Sequence, residues 1–456
     1  MFGCNSYFFT AFILTLNLFL LESVVCPGRT FGQTEATAES SAPATADGDT
    51  AAEGKESSTF TEMMRSRDEK DFKAQQESQS SALRRAKNYG VLPEDTDPQL
   101  ANAYKSAYQA FCEALLPVRA LYLRHQVAWE ATNDKERMQD FSKASAKAQE
   151  ALEQWCRQMA KTYATDPAKF GGLGDMMEEM ILVDSARDSF EAILPLAKIL
   201  WEKDEKHSDD LLEAIGYTGF AMNDFDLAES AWTKLSEQKF LPGKIRFLLQ
   251  SIPDLKSKWE REQKFREEDA KSSSNPQVLV VTNRGEILIE LFEDQAPQAV
   301  ANFIFLVERG FYNRKTFFRV LEHFLAQTGC DRGDGTGNAG YGIPDETKRE
   351  DRRDVFRGSL MFAIGVNDQT KEPNLESRSS QIQFAMMPAP QLGDNMVAFG
   401  RIIEGEQSLG LFARMDLSDE EQKKNKHLHA DFILDARVVR KRDHKYIPEI
   451  SAGRLP

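Results

Sequence analysis

Around Ser272–Pro276 the apolar residues of this 456-residue chain stop recurring every three to four positions and begin to alternate every second position. A chain that changes period in this way must build two kinds of core. A period of 3.6 buries one stripe of a helix, and a period of two buries one face of a strand. Hydrophobic residues make up 41% of the chain, enough for both cores. The expected fold is multidomain, with an all-α helical N-terminal region followed by a β-rich domain.

Before the switch, Asp97-Pro98 sets an N-cap residue ahead of a proline at the first helical position. Leu100, Tyr104, Ala107, Phe111 and Leu115 then recur at helical spacing, with Pro117 expected to kink the helix. Asn133 followed by Glu136 resembles a capping box and predicts a second helix to about Tyr163, antiparallel to the first. Cys112 precedes the turn near Asn133 by about as many residues as Cys156 follows it, which sets the two at one level of the hairpin. A Cys112–Cys156 disulfide and two buried thiols both fit that placement. Asp166-Pro167 repeats the start signal, and further helices run to about Glu268. Gly216, Ala228 and Trp232, with a turn at Asn223-Asp224-Phe225-Asp226, resemble one tetratricopeptide unit, and Asp188-Ser189-Phe190-Glu191 lies one period upstream. A generic helical bundle fits the same spacing.

The N-terminus carries an apolar run from Phe8 to Leu21, stopped by Glu22. It is shorter than the roughly 20 apolar residues a bilayer needs and suits the core of a signal peptide, although no Lys or Arg precedes it. Cleavage after Gly32 would leave small residues at the required positions, and Ser23-Val24-Val25-Cys26 resembles a lipoprotein box at the cysteine alone. Export to the periplasm or beyond is expected, with no stable membrane span after cleavage; an uncleaved membrane anchor is the alternative. The expected organisation is a signal peptide over 1–32, a polar linker over 33–96, a helical domain over 97–270, a β domain over 275–442 and a tail over 443–456. The net charge of −15 argues against nucleic-acid binding, which needs basic patches. The five cysteines form no CxxC pair and no metal spacing, and His427 and His429 read as surface residues, so no metal is expected.

After the switch, Val278–Thr282 and Glu286–Leu291 are expected to pair across Asn283-Arg284-Gly285. An amphipathic helix follows from Pro297 to Arg309. Further short strands are expected at 316–320, 324–327, 359–363, 381–386, 397–402 and 432–439, with a second short helix over about Glu406–Met415. Many short strands with two helices imply a closed β-barrel capped by those helices. Gly335-x-Gly337-x-x-Gly340 matches a dinucleotide fingerprint, but Tyr341-Gly342-Ile343-Pro344 cannot open the helix that fingerprint requires.

Six blocks in order, "GEILIELFEDQAPQAVANFIFLVERGFY", "TFFRVLEHFLAQTGC", "GDGTGNAGYGIPDE", "GSLMFAIG", "SSQIQFAMM" and "MVAFGRIIEG", give residues 275–442 a resemblance to cyclophilin-type peptidyl-prolyl cis-trans isomerases. The resemblance implies a cyclophilin-like barrel, no cofactor, and proline-containing polypeptides as substrates. It implies Arg319 as the catalytic arginine. Phe324 and Leu325 would contact the proline, Gln327 would bond the peptide backbone, Ala363 and Gln381 would line the adjoining groove, and Leu392 would border the proline pocket. The departures are Phe318 for a usual His, Leu325 for Met, Gln383 for a pocket-floor Phe, Gln391 for Trp and Met396 for His, with a longer loop from Asn367 to Arg378. A buried amide at Gln383 needs hydrogen-bond partners in a floor that should be apolar. Isomerisation of exported proteins is the first expectation. A catalytically weak peptide-binding module and a helical scaffold for a protein partner are the others.

Overall fold

The structure, a computed structural model, describes residues 92–128, 135–272, 274–366, 373–374, 377–424 and 430–453. The signal segment, nearly all of the 33–96 linker, Cys4, Cys26, the turn at Asn133, the His427/His429 pair and most of the 367–378 loop lie outside the described residues.

Helices α1 (Pro98–Ala128), α2 (Lys135–Thr165), α3 (Gly171–Ser185), α4 (Leu194–Lys203), α5 (Asp209–Ala221), α6 (Phe225–Gln238) and α7 (Gly243–Ser272) form the N-terminal region. The Asp97 carboxylate accepts from the backbone N–H groups of Gln99 and Leu100, each at 3.0 Å, which caps α1. Phe111 stacks on Trp155 at 5.3 Å, while Ala114 and Val118 pack with Ala148. Later residues of α1 thus meet earlier residues of α2, so the two are antiparallel. Cys112 and Cys156 are free thiols. Their height matches but their direction does not. Cys156 follows Trp155, which faces α1, so it is turned about 100° further round the helix. It is fully buried, with Asp184 of α3 among its neighbours, and burial raises its pKa. The second start signal acts one turn late: Asp166 caps a turn through Lys169 N–H at 3.1 Å, and α3 opens at Gly171.

In the α5–α6 hairpin, Asp224 caps α6 through Leu227 N–H at 3.2 Å. Trp232 lies so close over Gly216 that a Cβ there would sit 2.0 Å from its Nε1. Asp188–Glu191 is a loop between α3 and α4, and its Asp188 takes a left-handed φ of 57°.

The C-terminal part is built on strands β1 (Gln277–Thr282), β2 (Gly285–Leu291), β3 (Arg319–Leu321), β4 (Leu325–Thr328), β5 (Tyr341–Gly342), β6 (Ser359–Phe362), β7 (Gly365–Val366), β8 (Pro373–Asn374), β9 (Ile382–Ala385), β10 (Gly400–Glu404), β11 (Met415–Asp416), β12 (Ile433–Arg440) and β13 (Ala452–Gly453). Nine of them form one antiparallel sheet in the order β11-β3-β4-β9-β6-β10-β2-β1-β12. The lead-ins to β3 and β12 join its ends through the bridge Thr316–Phe432 and the bond from Phe317 N–H to Asp431 O at 2.7 Å. The barrel encloses Val280, Ile289, Leu360, Phe384 and Phe399, with Phe303 and Ile304 of α8 (Pro297–Glu308) packed among them. Glu346 reaches back to cap α8, accepting from Gln298 and Ala299 N–H at 2.9 and 3.0 Å. The second capping helix is a 3-10 helix, Glu406–Leu411, packed so tightly that a Cβ at Gly410 would lie 2.2 Å from Ser189 Oγ. A short α9 (Glu420–Lys423) follows β11.

The helical region docks on the barrel through segregated charges. Arg353 is fully buried, and its guanidinium bonds Glu262 at 2.8 and 3.0 Å and Asp269 at 2.7 Å, both on α7, over the Phe292 ring. Arg357 meets Glu191 at 2.8 Å and Arg414 meets Asp188 at 2.6 Å. Asp188 also accepts from His323 N–H at 3.0 Å, and the buried His323 ring stacks on Tyr217 at 4.0 Å. In these three pairs the carboxylates come from the helical region and the arginines from the barrel, while Arg261 of α7 pairs in the opposite sense with Asp354. Buried pairs of this kind contribute modest net stability yet are costly to break on one side.

Candidate functional site: a cross-strand row beside an apolar cluster

Alternation along the strands separates two faces. Val320, Ala326, Ile382, Phe384, Leu360 and Phe362 join the barrel core. Arg319, Leu325, Gln327, Gln383, Ala385 and Met361 therefore belong to the opposite face. The register lines up Asp416, Arg319, Gln327, Gln383 and Met361 as one row across β11, β3, β4, β9 and β6. Leu325 pairs with Ala385 in the next row.

Beside the row lies a small apolar cluster, separate from the barrel core. Met361, Ala385 and Met396 are its floor, and Val355, Ile364 and Leu392 pack around it half-buried. Leu392 is delivered by a 3-10 helix, Pro390–Asn395. Phe324, Ala363 and Gln381 are also half-buried, whereas Leu325, Gln327 and Gln383 are buried.

The Arg319 side chain is 34% exposed, and its Nε donates to Asp416 at 3.1 Å. At that exposure the pair contributes at most about 1 kcal/mol, so its consequence is orientation of the guanidinium rather than stability. The three glutamines form a directed chain. Gln383 Nε2 donates to Gln327 Oε1 at 3.0 Å, and Gln327 Nε2 donates to Gln381 Oε1 at 2.8 Å. Gln381 Nε2 donates to the carbonyls of Gly335 and Gly337 at 2.8 and 2.7 Å. Gln383 Oε1 is buried without a partner. The glycine-rich loop is thus a structural cradle for Gln381. A Cβ at Gly337 would lie 1.7 Å from Asp331 Oδ1, and Tyr341–Gly342 pairs with β13 instead of opening a helix.

Phe318 packs against the glycine-rich loop. It is 1% exposed, and a Cβ on Gly335 would come within 3.0 Å of its ring. Its ring supports the glycine-rich loop whose Gly335 and Gly337 carbonyls hold Gln381. Gln391 is exposed and Met396 buried. Sequence reasoning missed Asp416, whose only signal lies in a register 97 residues away from Arg319. It also missed Met361, which the alternation of Leu360-Met361-Phe362 could have revealed.

The model of the cyclophilin type peptidyl-prolyl cis-trans isomerase/CLD family matches residues 277–437. A peptidyl-prolyl cis-trans isomerase of Synechococcus elongatus is 46% identical over 133 residues, 29% of this chain and 83% of that protein. One of Helicobacter pylori is 37% identical over 127 residues, 28% of this chain and 72% of that protein. The chain belongs to the cyclophilin-type peptidyl-prolyl cis-trans isomerase family. A crystal structure of a Cryptosporidium parvum cyclophilin type peptidyl-prolyl cis-trans isomerase in the presence of the dipeptide Ala-Pro is matched at 30% identity and a TM-score of 0.30, over 36% of this chain and 98% of that one. In this cyclophilin the helices up to Ser272 lie outside the family match, although they touch the barrel at Arg353, Arg357, Arg414 and His323.

Proposed function

We propose that this chain isomerises X-Pro bonds in exported polypeptides, with Arg319 as its catalytic residue. Rotation about a peptide bond faces about 18–20 kcal/mol, and the cis and trans forms of X-Pro are nearly balanced, so a catalyst need only stabilise the twisted state. A fixed cation beside the prolyl nitrogen and the adjoining carbonyl favours the redistributed charge. The Asp416 carboxylate holds Arg319 in one orientation at the edge of the row. Phe324 and Leu392 would flank the proline ring, over a floor of Met361, Ala385 and Met396, with Leu325 beneath. Gln327 would exchange one of its glutamine partners for the peptide backbone, and Ala363 and Gln381 would border the adjoining residues. The observation that carries this reading is the single row that runs from a half-exposed arginine through buried amides to an apolar cluster. Export is supported by the apolar run Phe8–Leu21.

A second reading is a peptide-binding module with little turnover. It is favoured by Gln383, which ties Gln327 into the resting amide chain. The deciding experiment measures cis-to-trans rates of a short X-Pro peptide with the full chain and with Arg319→Ala. A loss of about 10²- to 10³-fold in kcat/KM is expected, the scale for removing one preorganised electrostatic group. Folded parent protein that binds the peptide without accelerating it would replace the isomerase by the binding module.

A further inference from the structure

We propose that helix α7 forms a second wall of the peptide groove, with Phe247 holding a bulky apolar side chain of the substrate some residues away from the proline. The proposal rests on the groove reading above and adds a subsite outside the family domain. Ile245, Leu248, Ile252 and Leu255 are the buried stripe of α7, on the helix that packs against α6. A different stripe runs Lys244, Phe247, Ser251, Asp254, Lys258 and Arg261, in steps of three and four that keep it on one margin of the helix.

Three points tie that margin to the barrel. At its start Lys244 Nζ donates to the Glu322 carbonyl at 3.4 Å, two residues before Phe324. Farther along, α7 packs against the 3-10 helix that carries Leu392. At its end the Arg261 guanidinium pairs with Asp354, next to the pocket residue Val355. The two turns that present Phe324 and Leu392 are thus bridged by one helix face. Phe247 lies on it between Lys244 and Lys258 and is 45% exposed.

The chemistry of the wall selects its occupant. Lys258 is paired with Asp254 at 2.7 Å, Arg261 with Asp354, and Lys244 is faced by the carboxylates of Asp188, Glu322 and Glu213, so the stripe offers little net charge to a charged ligand. From Lys244 to Lys258 the helix rises about 21 Å, which matches about six residues of extended chain. The fitting partner is an unfolded, extended polypeptide segment with an apolar side chain displaced from its proline. A peptide of four residues would fill the pocket and leave Phe247 uncovered.

The test compares the full chain with Phe247→Ser and Phe247→Trp, using fluorescein-labelled peptides read by anisotropy and by isomerisation rate. One peptide has four residues around X-Pro. Two have ten residues, with a Phe placed four positions before or after the proline. Phe247→Ser is expected to leave the four-residue peptide unchanged and to weaken one ten-residue peptide about five- to tenfold, while Phe247→Trp keeps or tightens it. Equal binding of both ten-residue peptides by parent and Phe247→Ser would overturn the wall. If the parent binds but does not turn over, the isomerase reading falls while the binding difference still decides the wall. If the parent binds none of the peptides, both fall.

Discussion

Replacing Gln383 by Leu distinguishes a satisfied buried amide from one that only relays a hydrogen bond. Gln383 is 7% exposed, donates once to Gln327 and leaves its own Oε1 unpaired. Truncating a fully paired buried amide would lose its bonds and strand their partners, at about 1–3 kcal/mol for each stranded group. Here Gln383→Leu removes one stranded acceptor and creates another, because Gln327 Oε1 has Gln383 as its donor. The two costs of about 1–3 kcal/mol offset, and the lost hydrogen bond, worth about 1 kcal/mol, is balanced by extra apolar contact with Met361, its partner on β6. The net change in unfolding free energy should lie within about 1 kcal/mol of zero. The stranded acceptor now sits on Gln327, where a substrate N–H can meet it. KM for an X-Pro peptide should fall by up to about tenfold, the equivalent of one hydrogen bond of about 1.4 kcal/mol. Urea unfolding followed by circular dichroism, with an unchanged m-value, gives the first quantity, and isomerisation kinetics give the second. A loss of stability above about 2 kcal/mol would refute the reasoning, since it would mean that Oε1 already has a partner such as a buried water.

His323 is held neutral down to about pH 4 by burial, against an ordinary value of 6.5. Between those values the unfolded chain binds a proton that the folded chain refuses, so stability falls as pH drops from 6.5 to 4, by up to about 3 kcal/mol. Burial raises the carboxyls of Asp184 and Glu406 to about 7 and about 6, and their contribution runs the other way, lost as pH rises through those values. The check is therefore the difference between the denaturant midpoints of parent and His323→Asn across pH 4–7, and parallel curves would contradict the burial account. Arg353→Met should destabilise by about 3 kcal/mol or more, because Glu262 and Asp269 lose their buried cation, and adding Glu262→Met should recover part of the loss in urea titrations. Asp416→Asn should lower kcat of the X-Pro reaction about tenfold, less than Arg319→Ala, because the guanidinium stays but its orientation loosens.

Local chemistry made many elements legible. The Asp97 cap, the Asn283–Gly285 turn and the alternating apolar residues of β1 and β2 each state their structure within a few residues. The second capping helix was legible in place but not in type: the segment opens after the left-handed Gly405 and ends at Leu411, too short for more than a 3-10 helix. The row from Asp416 to Met361 was not legible, since register joins residues far apart in sequence and no local pattern encodes it. The same holds for Cys112 and Cys156, whose levels follow from helical rise while their directions depend on which neighbours each helix acquires. Gln383 was legible as an anomaly, but its resolution through Gln327 needed the strand pairing.

The segregation of charge between helices and barrel has a consequence for synthesis. Asp188, Glu191, Glu262 and Asp269 emerge from the ribosome before any of Arg353, Arg357 and Arg414. Until the barrel follows, Asp188, Glu191 and Asp269 lack these arginines, while Glu262 has Arg266 of its own helix at 2.9 Å. Arg353, Arg357 and Arg414 then arrive with the barrel and complete the buried pairs, so the docked arrangement is reached only after the C-terminal domain has been made.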